Sequence, residues 1–229
     1  MKIGGLQKVS LIDYPGRISA VVFTQGCNFR CPYCHNPGLV PFDPPGILLP
    51  EEDVFSFLEK RRGRLDGVTI SGGEPTIQTD LGSFLKKVKF LGYPVKLDTN
   101  GSAPGILEDL LAGGLLDYVA MDVKAPPGKY GKLSGSAVPF SRIRESADIL
   151  RSSGVSYEFR TTVIPSLLNE EDLVNMLEAI GPAGRFVFQR FVPSKTLDPS
   201  LAKERESNIG ELRDLAKRLS PGGTGILVR

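Results

Sequence analysis

Six short runs of mostly apolar residues recur along the chain, at positions 19–24, 67–71, 95–99, 118–123, 156–163 and 185–191. Runs of this length and continuity suit strands covered on both faces, as in parallel sheets. Between them, apolar residues fall three and four apart, the helical period. The stretch PEEDVFSFLEK, residues 50–60, opens on Pro50 with acids in its first turn, and TDLGSFLKKVKFLG, residues 79–92, stops at Gly92. GILEDLLAGG ends on two glycines, and FSRIRESADILRSSG ends at Gly154. NEEDLVNMLEAIG starts from Asn169, a good N-cap, and ends at Gly181; a last helix is expected over 209–219.

Strand alternating with helix over the whole length predicts a parallel α/β architecture. Six repeats are too few for a closed eight-stranded barrel. The expected fold is therefore an open, partial (β/α)6 barrel of the TIM-like kind, with a doubly wound sheet as the alternative. No stretch is long or polar enough to be a linker, so a single domain over 1–229 is expected, with a C-terminal helix and an extended tail from about 205. In either fold, ligands gather at the C-terminal ends of the strands. Residues 124–139, KAPPGKYGKLSGSAVP, read as a long Gly/Pro-rich loop on that side, a lid or a docking surface.

Composition changes this picture little. The chain has 229 residues, of which 41% are hydrophobic, enough for a sizeable core. A net charge of +2 gives no electrostatic case for nucleic acid or a membrane surface. The basic run Lys60-Arg61-Arg62-Gly63-Arg64 reads as cations complementing the end of a helix dipole. No secretory leader and no span of about 18 apolar residues is visible, so a cytoplasmic protein with reduced thiols is expected.

The cysteines change it a great deal. All three, Cys27, Cys31 and Cys34, lie in CNFRCPYCHN, residues 27–36, and the lone histidine, His35, adjoins the third. This loop follows the first predicted strand. Three readings are open. A structural zinc site wants four ligands, and a histidine directly adjacent to one cysteine is awkward for a shared tetrahedron. Free cysteines are often simply buried, but three in one Gly/Pro/Asn-containing loop make a poor case for that. An iron–sulfur cluster normally takes four thiolates; three would leave one iron open to substrate or cofactor.

The spacing Cys-x3-Cys-x2-Cys resembles that of the radical S-adenosylmethionine (SAM) superfamily. CHN resembles the glycyl-radical-enzyme activases within it, and SLIDYPG with FTQGCNFRCPYCHNPGLV looks most like their anaerobic ribonucleoside-triphosphate reductase branch. The resemblance runs to about residue 191. It implies that Cys27, Cys31 and Cys34 hold a [4Fe–4S] cluster whose fourth iron is chelated by SAM. It also implies that one electron from the cluster breaks the sulfur–C5′ bond, giving methionine and a 5′-deoxyadenosyl radical that abstracts hydrogen. The implied partners are a glycyl radical enzyme, foremost anaerobic ribonucleotide reductase, and flavodoxin or ferredoxin as electron donor. Pyruvate formate-lyase as partner, a small-molecule radical enzyme, and a non-catalytic iron–sulfur or zinc scaffold are the alternatives.

By the same resemblance, SGGEP supplies Gly72, Gly73 and Glu74 around the SAM amino group, the two glycines allowing close backbone approach. Asp98, Asp122, Lys124 and Arg160 would surround its methionine and ribose parts, and Tyr33, with His35 in the same loop, its adenine. In related activases the positions of Asp98, Thr99 and Asp122 hold a cation near the SAM carboxylate. Read without the family, Asp98 is a turn cap and Lys124 a solvated cation, yet charges ending three successive strands suggest a polar mouth. One departure stands out. Related activases carry a histidine near the sixth strand, where this chain has FQRFVP, so Gln189 or Arg190 stands in its place.

Overall fold

The computed structural model describes every residue except 45, 194, 195 and 221–224. Strands β1 (Ile3–Ser10), β2 (Ser19–Thr24), β3 (Gly67–Gly72), β4 (Val95–Thr99), β5 (Tyr118–Asp122), β6 (Ser156–Val163), β7 (Phe186–Arg190) and β8 (Ile226–Val228) follow one another in chain order in a single sheet. The helices are α1 (Glu51–Lys60), α2 (Leu81–Phe90), α3 (Pro104–Ala112), α4 (Tyr130–Ser134), α5 (Phe140–Ser152), α6 (Glu170–Ile180) and α7 (Ile209–Arg218). Contacts divide the chain into two compact units, one of residues 1–28, 38–99 and 105–119, the other of 29–37, 100–104 and 120–229.

In the first unit β2, β3 and β4 run parallel, in register Phe23↔Ser71 and Ile70↔Leu97. Val21, Val22, Ile70 and Leu97 are wholly buried, each worth about 1.5–3 kcal/mol. Helices α1 and α2 cover them with Val54, Leu58, Phe84 and Leu85. In the second unit β6 and β7 are parallel, with Arg160↔Val187 and Thr162↔Gln189 in register, and Phe159 and Phe188 are buried. Helix α6 begins on the expected cap: Asn169 accepts from the Asp172 N–H, and the Asp172 carboxylate accepts from the Asn169 N–H.

Three elements were not expected from the pattern. β1 pairs antiparallel with β2 and buries only Ile3 and Ser10, and β8 has three residues, so neither shows the apolar run of a covered strand. Both are outermost in the strand order. Residues 124–139 are not an irregular loop, because Tyr130, Leu133 and Ser134 are buried along α4. Lys129, just before α4, ion-pairs with Asp172 at 2.5 Å and donates to the Leu167 carbonyl at 3.4 Å, tethering the segment to the start of α6. Among the described residues no helix is long and apolar enough to cross a membrane.

Candidate functional site

In the first unit, the strand end carrying Gly72 and Gly73 is laced to the residues leading into Cys27. Gly73 N–H donates to the Thr24 carbonyl at 2.9 Å, and Glu74 N–H to the Gly26 carbonyl at 2.8 Å. A Cβ on Gly73 would lie 2.0 Å from that same Gly26 oxygen, so only glycine fits there. Gly26 and Cys27 in turn donate to the carbonyls of Leu39 and Val40, at 2.8 and 3.0 Å.

Side chains reinforce this lacing. Buried Gln25 donates from Nε2 to the Gly38 and Pro41 carbonyls, at 3.0 and 2.7 Å, closing the two ends of the cysteine segment on each other. Glu74 is 1% exposed, and its Oε1 accepts from Thr76 N–H, Thr76 Oγ1 and Thr99 Oγ1. Asp98 accepts from Ser71 Oγ at 3.1 Å and ion-pairs with the buried Lys96 two residues before it on the same strand face.

In the second unit, Cys34 N–H donates to the Cys31 carbonyl at 3.0 Å, so these two cysteines share one tight turn. Between them Tyr33 is buried, and its hydroxyl donates to the Lys124 carbonyl at 3.3 Å. Burial first, and then the neighbouring Cys31, pushes this phenol well above its ordinary pKa. Burial pushes the Cys31 thiol up to about 11, with the Lys124 charge acting against it. His35 stacks on Phe191, ring centroids 5.8 Å apart.

Asp122, at the end of β5, accepts from Arg160 Nε at 2.8 Å and from Lys124 Nζ at 3.0 Å. Burial alone would raise its pKa, but the Arg160 and Lys124 charges overturn that and hold it well below the carboxylate range. Lys124 moves the other way. Burial would lower its pKa, yet Asp122 and Cys31 raise it, so it stays a cation. On β7, Gln189 shares a sheet face with Arg160 and Thr162, whereas Arg190 points to the other face and pairs with Glu206 at 2.7 Å. Of the two stand-ins for the family histidine, only Gln189 is on the face of Arg160.

The structure thus gathers Cys31, Tyr33, Cys34, Asp122, Lys124 and Arg160 in one unit, and Gly72, Gly73, Glu74 and Asp98 with the approach to Cys27 in the other. Among the described residues no three His, Cys, Asp or Glu side chains are grouped so as to hold a single metal ion.

The radical SAM superfamily model matches residues 21–180. The chain belongs to the radical SAM superfamily. A Methanocaldococcus jannaschii protein named as a glycyl-radical enzyme activating enzyme is 34% identical over 221 residues, covering 94% of this chain and 90% of its own. The pyruvate formate-lyase-activating enzyme of Clostridium pasteurianum is 31% identical over 188 residues, covering 78% of this chain and 75% of its own. This radical SAM chain is therefore an enzyme of the glycyl-radical activating kind, and the superfamily's cofactors are a [4Fe–4S] cluster and SAM.

Among solved structures, Streptococcus suis SuiB bound to its precursor peptide SuiA superposes with a TM-score of 0.70 at 15% identity, over 91% of this chain. The anSMEcpe enzyme with bound AdoMet gives 0.61 at 16% identity, over 90% of this chain. The chain spans about half the length of SuiB (48%), so these likenesses speak for the fold. That fold is the mixed α/β, partial (β/α)6 barrel.

Proposed function

We propose that this enzyme installs a glycyl radical on anaerobic ribonucleotide reductase, using a cluster held by Cys27, Cys31 and Cys34. The observation that carries the cluster reading lies in the second unit. Cys31 is buried beside the cation Lys124 and shares one tight turn with Cys34, and two buried hydroxyls on α4, Tyr130 OH and Ser134 Oγ, have no acceptor among the described residues. A buried thiol gives up its proton to a metal, and unpaired donors nearby suit the negative charge that results. Bound together, the cluster and SAM supply one-electron cleavage and a hydrogen-abstracting carbon radical.

The chain's own residues bind, orient and shield. Asp122 holds Arg160 and Lys124 side by side, and paired cations suit the SAM carboxylate. Gln189 shares their side of the sheet and takes the place of the family histidine. Tyr33 and His35 offer ring surface to the adenine. Gly72 and Gly73 offer backbone to the amino group, with Glu74 beneath them and Asp98 at the neighbouring strand end. Flavodoxin or ferredoxin supplies the electron, in the cytoplasm.

The reductase assignment draws on the likeness of SLIDYPG and the cysteine segment to that branch. The similarity to pyruvate formate-lyase-activating enzymes favours the lyase as a second reading. The test is electron paramagnetic resonance on the anaerobic, reconstituted enzyme with SAM, a reductant and each candidate partner separately. A glycine-centred doublet on the reductase, with one 5′-deoxyadenosine per radical, is expected. A doublet on the lyase alone moves the assignment to the second reading.

A further inference from the structure

Helix α4 is pressed against the cysteine segment. Arg30 N–H donates to the Ser134 carbonyl at 2.8 Å, and the Cys31 thiol lies 3.8 Å from the same oxygen. Gly135, which ends the helix, has φ +59°, and a Cβ there would fall 2.5 Å from the Arg30 carbonyl. The Tyr130 ring sits edge-on to Phe29, centroids 6.2 Å apart, and to Phe140 at 5.2 Å.

Against that tight packing, two polar atoms stand out. Tyr130 is 2% exposed and Ser134 is fully buried, yet neither Tyr130 OH nor Ser134 Oγ has an acceptor among the described residues; the Lys124 backbone N–H that faces the Tyr130 oxygen is itself a donor. An orphaned buried hydroxyl costs roughly 1–3 kcal/mol. A serine inside a helix ordinarily bonds the carbonyl four residues back, here that of Tyr130, and Ser134 does not. The two residues are four apart and so share one helix face. Cys31, Tyr33 and Lys124 are the ionisable neighbours of the Tyr130 hydroxyl. Two unsatisfied donors on one short helix, both against the cysteine turn, point to a missing acceptor on that side.

A thiol at Cys31 donates to the Ser134 carbonyl. A thiolate cannot, and it accepts instead. A cluster sulfur at this corner can only accept, and the Tyr130 and Ser134 hydroxyls lie on the helix packed against it.

We propose that Ser134 and Tyr130 donate O–H···S hydrogen bonds to the sulfur at the Cys31 corner of the cluster and thereby raise its reduction potential. This rests on the reading that Cys31 is a cluster ligand. The sign follows from charge. The reduced cluster carries one more negative charge than the oxidised one, so a donor stabilises it more. Removing one donor should shift the reduction equilibrium roughly fivefold toward the oxidised form, the worth of one ordinary hydrogen bond.

The test uses the full chain as wild type, Tyr130→Phe and Ser134→Ala, each reconstituted with iron and sulfide. Both variants should load the cluster and show a midpoint potential more negative than wild type in a redox titration followed by electron paramagnetic resonance. The apo Ser134→Ala protein should melt at or above the wild-type temperature, because no existing hydrogen bond is removed. The shift of the Fe–S stretching bands on transfer to D2O should shrink in both. Loaded variants with unchanged potential and an unchanged D2O shift overturn the proposal and leave the ligand reading standing. A Cys31→Ala protein that retains the whole cluster overturns the ligand reading itself.

Discussion

Around Gly72 and Gly73 nearly every contact that fixes the chain is backbone to backbone, and the buried acid nearby, Glu74, accepts from three donors on one oxygen. Around Cys31 the balance differs: an acid stands between two cations, a thiol is pushed up to about 11 by burial, and two hydroxyls have no acceptor among the described residues. In the first region the polar groups at the strand end are paired, although Ser19 Oγ and Thr69 Oγ1 earlier on β2 and β3 are not. The second keeps two buried hydroxyls without an acceptor. The contrast is between a backbone-fixed strand end and a cluster of charged and buried polar side chains, and it can be tested by unequal responses to substitution.

The largest effect should come from Cys31→Ala, which removes a proposed cluster ligand and a buried thiol but no structural hydrogen bond to backbone N–H. Loss of cluster iron and sulfide with retained far-ultraviolet circular dichroism is expected. Next comes Gly73→Val at the backbone-fixed strand end. Its Cβ meets the Gly26 oxygen at 2.0 Å, so the strand end must part from the approach to Cys27. A loss of about 3 kcal/mol or more is expected in chemical denaturation, with SAM binding and cluster loading falling together. Retained cluster with only SAM binding lost would show that the two are separable at this position.

Asp122→Asn should act more locally. It leaves Arg160 and Lys124 without their shared carboxylate, and SAM affinity measured by titration on the loaded enzyme should fall about tenfold while the cluster remains. The smallest effect concerns Asp172. Burial would raise its pKa, but the bond from Lys129 and the Asn169 N–H lower it. A carboxyl with a folded pKa below its unfolded value stabilises above the unfolded value and loses that contribution as pH falls through the folded one. Asp172→Asn should therefore flatten the acid limb of the stability curve below about pH 4, and leave its slope near neutrality unchanged.

Much of this contrast was legible in the sequence. The runs at 19–24, 95–99 and 156–163 match β2, β4 and β6 in their bounds; SAVVFT is buried at five of six positions, as a strand covered on both faces requires, while polar residues interrupt VKLDT and SYEFRTTV. The outermost strands escaped notice because a strand with one paired edge needs no such run; IGGLQKVS buries two residues of eight. Helix α4 was hidden by the glycines and prolines around it, although the apolar pair Tyr130 and Leu133 lies three apart. Within VKLDT, period two puts Lys96 on the face of Asp98, so this ion pair is legible from the strand alone. Gln25 carried no such signal. Its role depends on carbonyls thirteen and sixteen residues away, which no local pattern reveals.

That glutamine has a consequence for how the cofactor is acquired. Holding position 25 to positions 38 and 41 closes a ring of about a dozen residues around the cysteines through protein contacts alone. Closing a flexible segment of that length costs about 2 kcal/mol of chain entropy, or roughly thirtyfold in an equilibrium constant. With Gln25 holding the ring, the ligands proposed on this segment need not supply that entropy themselves.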